Sequence, residues 1–300
     1  YAIFTLAIFW DPIINKFGSI QWDAIGVHFF NLLFSSQTWQ AGTFPLWTPY
    51  IFNGFPQVAD LQVAIFYPIN LLISFFTTFT APIMQYQLIA HYFLAGFFGF
   101  LLAKHISKNF FFSLAAGAVY AFSGFMVGHG SHVGMQNASA WLPLLFWLLI
   151  LALEKRRLLY GLLCGLFLGI AILAGHFQMA LYSAYALGLY FAFDFLWSLA
   201  TFIKAKIKQQ KEHKNMTGKF SPRDFIIKSP KKEQGEALLK KFSIILAVYV
   251  IAFLISAVQL LPTYELTAKS QRVNITLEMS QTESLNPDSL WGLITPNYKN

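Results

Sequence analysis

Apolar runs of membrane-spanning length alternate with short polar gaps in this chain, and its cationic residues crowd into every second gap. Seventeen of the 21 Lys and Arg residues fall within 104–108, 155–157 and 204–241. The cytoplasmic loops of polytopic membrane proteins carry such an excess, so the pattern sets both a topology and an orientation. It predicts that Asp11, Asp23, Asp60, His129, His132, Gln136, Asn137, His176 and Gln178 gather at the opposite, extracytoplasmic face. The expected fold is all-α: a polytopic integral-membrane helical bundle in the plasma membrane, with a long, partly helical first outer loop.

Composition agrees with that reading. Charged residues make up 11% of the chain, against about a quarter in soluble domains, while 56% is hydrophobic and mean hydropathy is +0.53. The net charge of +8 is no nucleic-acid signal. Residues 204–241 hold 12 cationic and four acidic residues, and the remainder balances. That stretch reads as a solvated cytoplasmic loop within reach of anionic lipid headgroups. The single Cys164 lies in mid-span, so neither a disulfide framework nor a thiol metal site is expected.

The chain opens at Tyr1 inside a ten-residue apolar run and ends at Asn300 without a closing element. Residues 1–300 are therefore expected to be one transmembrane domain fragment whose first helix is truncated. An outer loop over 11–81 follows, in which 20–34 has the spacing of an amphipathic interfacial helix. Residues 42–70, rich in Pro, Gly and aromatics, suit rigid turns at headgroup level. Six further spans are predicted near 83–103, 110–128, 138–153, 158–174, 179–200 and 242–261, and 262–300 begins an outer region. Gly161, Gly165 and Gly169 place small residues on one face of the fifth run, which permits close helix approach.

Among the outer-face residues, Asp23 is the leading candidate for chemistry. A carboxylate beside an interfacial helix meets lipid-linked substrates at headgroup depth and is able to accept a hydroxyl proton as general base. The plain alternative is a solvent-facing loop Asp, and Asp11 fits a simple helix end. Asp60 and Gln62 border an apolar run, so they must be paired or face a polar cavity. They read either as acceptor or sugar ligands or as caps for their own loop. His129 and His132, with Gln136 and Asn137, occupy a predicted Gly-rich outer loop at 128–137. Two histidines are too few to define a metal site. His176 and Gln178 complete a polar rim that either binds substrate or is merely satisfied structure. Asp194, in a span, has no evident partner. No phosphate-binding Gly-rich loop, His-Glu-x-x-His motif or nucleophile elbow is present.

The run PLWTPYIFNGFPQVADLQVAIFYPINLL (45–72) resembles the first extracytoplasmic loop of the YfhO family of bacterial membrane proteins, through Pro45-Leu46-Trp47, Asn53-Gly54, Pro56, Gln62 and Tyr67-Pro68. Trp22-Asp23, HGSHVGMQNASAWLPL, GHFQMALY, LLPTYEL and LITPNY extend the resemblance over the fragment. It implies a C-type glycosyltransferase that takes sugar from a polyprenyl-phosphate donor and passes it to a cell-envelope polymer or lipid acceptor at the outer face. The family's loop base maps onto Asp23, with Asp60 second. Gln62 then orients acceptor or sugar, and His129, His132 and His176 lie near the donor phosphate, with Gln136, Asn137 and Gln178 on the binding rim. A departing phosphate needs its charge stabilised. The outer segments offer Lys16, Lys269, Arg272 and the histidines, which leaves room for a divalent metal ion. Two other classes use the same rim: a transporter or flippase of lipid-linked sugars, which places polar residues through the midplane, and a non-catalytic envelope assembly factor.

Overall fold

The computed structural model describes residues 2–11, 13, 22–215, 230–270, 276, 277 and 281. Those residues form helices joined by turns and contain no strand, only one antiparallel bridge between Thr48 and Phe55. In chain order the helices are α1 (Ala2–Ile8), a π-helical turn (Ala24–Phe29), α2 (Phe30–Gln40), α3 (Pro68–Phe76), α4 (Ala81–Ser107), α5 (Phe110–Ala121), α6 (Gly124–Gly128), α7 (Val133–Ser139), α8 (Leu142–Lys155), α9 (Leu158–Leu173), α10 (Phe177–Asn215) and α11 (Pro230–Ala268). Five stretches are long and apolar enough to cross a membrane: Ala81–Ser107, Phe110–Gly128, Val133–Lys155, Phe177–Lys208 and Gly235–Ala268. At 16 residues, α9 is shorter.

The helix boundaries follow local chemistry. The side chains of Thr80, Asn109 and Ser123 accept from the backbone N–H groups of Ile83, Phe112 and Met126, capping α4, α5 and α6. At the basic end, α4 and α8 stop on Lys108 and Arg156, both left-handed with φ of 58° and 51°. The expected loop over 204–241 needs correction. α10 runs on to Asn215 and α11 starts at Pro230, so both flanks of the basic stretch are helical and only 216–229 lie outside the described residues. Thirty-nine residues at ~1.5 Å each give α10 about 58 Å, nearly twice a ~30 Å hydrocarbon layer. The interfacial helix also differs. It continues to Gln40, and its buried face carries Ser35 and Ser36 beside Leu32, while Phe30 is exposed.

The main core is built on α8, whose Leu145, Leu149 and Ala152 are fully buried among α4, α9, α10 and α11. The predicted glycine face of α9 meets α11: a Cβ on Gly165 would lie 2.6 Å from the Val248 carbonyl oxygen, and one on Gly169 2.7 Å from Ile255 Cβ. By contrast α10 turns large apolar side chains outward, with Leu189 73% and Phe193 68% exposed. In water such a face is a liability, whereas against lipid it is the natural one. Asp194 does have a partner: Lys241 on α11 reaches it at 2.6 Å and also donates to Ser198 Oγ at 2.9 Å.

The first loop is fastened to this bundle by buried polar contacts. Gln259 and Thr263 of α11 donate to the carbonyls of Val58 and Ala59 at 3.0 and 2.8 Å. Tyr67 is buried and donates to His91 Nε2 at 2.6 Å, while it accepts from Trp141 Nε1 at 3.1 Å. His91 Nδ1 in turn donates to the Gln87 carbonyl at 2.7 Å, so its neutral tautomer is fixed. Gln57 donates to Ser35 Oγ and the Asn31 carbonyl, and Ser36 Oγ accepts from Phe79 N–H, which ties α2 to the loop. Trp47 packs over Gly54, whose φ of 119° and missing Cβ are both required there. Several residues that carry the sequence resemblance thus hold the loop in place.

Candidate functional site

α2 and its preceding π-helical turn lie against α3 and the start of α4, in a small apolar cluster of Ala24, Leu32, Phe79, Met84, Leu88 and Val133. Because Val133 opens α7, this packing brings the segment around Asp23 to the 129–133 turn. There Asp23 Oδ2 lies 3.7 Å from His132 Nε2. That distance suits an ion pair and exceeds a direct hydrogen bond, a looseness common in sites without substrate. Both side chains are partly open to solvent, at 59% for Asp23 and 44% for His132.

Three further imidazoles join this pair. The His129 ring centroid is 5.4 Å from that of His132, and His129 Nδ1 donates to the Phe125 carbonyl at 2.9 Å. His176 follows the turn at Gly175, where a Cβ would approach the Leu61 and Gln62 carbonyls, and its Nδ1 accepts from Met179 N–H. Burial lowers the His176 pKa, and the neighbouring His132 and His129 add to that shift. His28 is the fourth. Burial pushes it down to about 4, against a backbone hydrogen bond at Gln62 and the charge of Asp23, with His132 and His176 acting in the same direction as burial. From the sequence alone, His28 has no assigned role. One carboxylate and four histidines therefore lie within electrostatic reach of one another.

The other predicted residues fall elsewhere. Asp60 accepts from Gln62 N–H at 2.9 Å and caps its own turn. Burial raises its pKa, partly offset by that hydrogen bond. The Gln62 side chain is exposed, and its backbone supplies the contact to His28. Gln136 and Asn137 lie in α7 and not in a loop; both are buried. Both amide atoms of Gln136 and Asn137 Oδ1 lack a hydrogen-bond partner among the described residues. Gln178 is exposed and donates to Tyr182. Lys16 and Arg272 lie outside the described residues, and Lys269 is paired with Glu265 at 2.8 Å. No group of three or more His, Cys, Asp or Glu among the described residues is arranged to hold a metal ion.

The depressed His28 has a measurable consequence. With its folded pKa near 4 and an unfolded value near 6.5, the unfolded chain binds more protons between those limits. Stability should therefore be fully present above about pH 6.5 and fall as the pH drops towards 4. Thermal unfolding in detergent across this window should show a shallower loss for His28→Gln than for wild type; identical slopes would refute the assignment.

No family model, curated protein or solved structure matches the chain.

Proposed function

We propose that the chain is part of an integral-membrane glycosyltransferase that moves a sugar from a polyprenyl-phosphate donor to a cell-envelope acceptor at the extracytoplasmic face. The observation that carries this reading is the placement of Asp23 beside His132 within the histidine group, at a loop docked on apolar helices. As the acceptor hydroxyl attacks the anomeric carbon, the bond from that carbon to the phosphate oxygen breaks and Asp23 takes the hydroxyl proton. The polyprenyl phosphate leaves with the bonding electrons, and His176, whose Nδ1 accepts from Met179 N–H, has its Nε2–H available to the phosphate oxygens. The C-type resemblance at 45–72 points to the same chemistry. The direct assay is sugar transfer from a polyprenyl-phosphate donor by the full-length protein in proteoliposomes, with Asp23 variants as the control.

The orientation is tested separately. In a Cys164→Ala background a membrane-impermeant thiol reagent should label Ser131→Cys on intact cells. It should reach Lys155→Cys only after permeabilisation. The reverse pattern would put the histidine cluster in the cytoplasm and rule out this donor chemistry.

A further inference from the structure

At the basic end of the bundle, two cavities lie on the surface formed by the α8–α9 turn, α10 and α11. One, of 170 Å³, is lined by Arg156, Ser198, Thr201 and Lys241, with Phe202 and Leu238 as its apolar part. The other, of 270 Å³, is lined by Tyr190, Phe193, Asp194 and Trp197. Lys241 lines the first and Asp194 the second, so their ion pair stands between the two. The smaller cavity offers at least ten times the ~15 Å³ that one water needs, so a polar headgroup is able to enter.

The charge and donor inventory is specific. Asp194 cancels the charge of Lys241, and two of the three ammonium hydrogens are engaged by Asp194 and Ser198. Ser198 Oγ accepts from the lysine, so its own O–H remains to donate. Thr201 spends its hydrogen on the Trp197 and Ser198 carbonyls. Arg156 is exposed and has no acidic partner among the described residues. The lining therefore carries one net positive charge, the guanidinium fork, one ammonium hydrogen and one hydroxyl hydrogen. A single-charged oxyanion with two free oxygens matches that set, and a doubly charged one leaves a charge uncompensated. Phe193 and Trp197 are each 68% exposed and border the ion pair on its apolar side. A free phosphate gains nothing from these rings. An acyl chain lies against them, and Trp favours the membrane–water boundary.

We propose that these neighbouring cavities bind an anionic phospholipid across the ion pair, with the phosphodiester on Arg156, Lys241 and Ser198 and the hydrocarbon along Phe193 and Trp197. The site belongs to the basic end and does not depend on glycosyl transfer. It gives the positive gap at 155–157 a definite ligand where the charge pattern alone implies only diffuse attraction.

The test is native mass spectrometry of the full-length protein in detergent, titrated separately with phosphatidylglycerol and phosphatidylcholine. One phosphatidylglycerol per chain should be retained in preference to phosphatidylcholine. Arg156→Gln should weaken that retention about tenfold, the scale of one charge-assisted contact. Arg157→Gln removes the same charge one residue away, outside the cavity, and should leave retention within about twofold. Lys241→Gln alone strands Asp194 and endangers folding, so the paired change Asp194→Asn with Lys241→Gln is the second variant. It should also weaken phosphatidylglycerol while preserving helix content by circular dichroism. Equal retention of the two lipids, or equal losses in the Arg156 and Arg157 variants, would overturn the site. Displacement of phosphatidylglycerol by inorganic phosphate at equal concentration would overturn its assignment to lipid.

Discussion

Asp23→Asn should lower sugar transfer at least about a hundredfold while leaving insertion and expression intact. The amide keeps the shape of the carboxylate and its capacity to accept hydrogen bonds, but it takes up no proton at neutral pH. General-base catalysis is worth roughly 10²–10⁴ in rate, so the lower bound follows from the role itself. Folding should be spared because the Asp23 side chain is 59% exposed and no helix cap depends on it. Asp60→Asn should do less harm to catalysis, since its carboxylate accepts from Gln62 N–H and an amide oxygen serves there as well. The comparison needs a strain without the native protein, scoring both donor turnover and the sugar content of envelope polymers. Near-normal turnover in Asp23→Asn with an inactive Asp60→Asn would move the base to Asp60. Near-normal turnover in both variants would sink the enzymatic reading and leave transport or assembly of envelope components.

The sequence carried the apolar helices because each is set by its own apolar run, with side-chain caps adding to the starts of α4, α5 and α6. It carried the histidine cluster only in part. His129, His132 and His176 stand out as polar residues between apolar runs, but His28 looks like the polar face of a loop helix until tertiary packing places it against Gln62. The same holds for His91, a polar residue in an apolar span whose side-chain partner Tyr67 lies 24 positions away in the chain. Asp194 lacked a partner for a related reason: Lys241 lies across the long basic stretch, at a separation no periodicity reports. The positive-inside rule counts charge and is blind to backbone state. It marks 204–241 as one loop, although Lys, Glu, Gln and Ala are good helix formers and extend both neighbouring helices into it. Gln136 and Asn137 escaped for the opposite reason. Flanking glycines suggest a loop, but α7 needs close approach: a Cβ on Gly134 would lie 2.9 Å from the Gly175 carbonyl.

The glycines of α9 are the other place where one substitution should have a large effect, this time on folding. Gly161, Gly165 and Gly169 face α11, and what a side chain would meet differs along the row. At Gly161 the nearest atom is Ile244 Cγ2 at 3.0 Å, a methyl that Ile244→Leu removes at nearly constant volume. At Gly165 it is the Val248 carbonyl oxygen at 2.6 Å, with Ile251 Cβ at 2.9 Å and Val248 Cα at 3.1 Å. Most of that obstacle is backbone, and no change of side chain on α11 clears it. Overpacking a tight site typically costs about 1–3 kcal/mol, and here the two helices must separate along their contact. At 16 residues, or about 24 Å, α9 is also too short to span a ~30 Å layer alone, so it depends on α11 more than its neighbours do. Gly165→Val should therefore abolish the monodisperse folded species in fluorescence-detected gel filtration, and Gly165→Ala should lower the thermal midpoint without removing it. Gly161→Ala should be milder and should recover most of its loss when combined with Ile244→Leu, whereas no single substitution on α11 should rescue Gly165→Val. A Gly165→Val protein that elutes and melts like wild type would mean that α9 and α11 do not make this contact, and the helix packing described for the core would have to be redrawn.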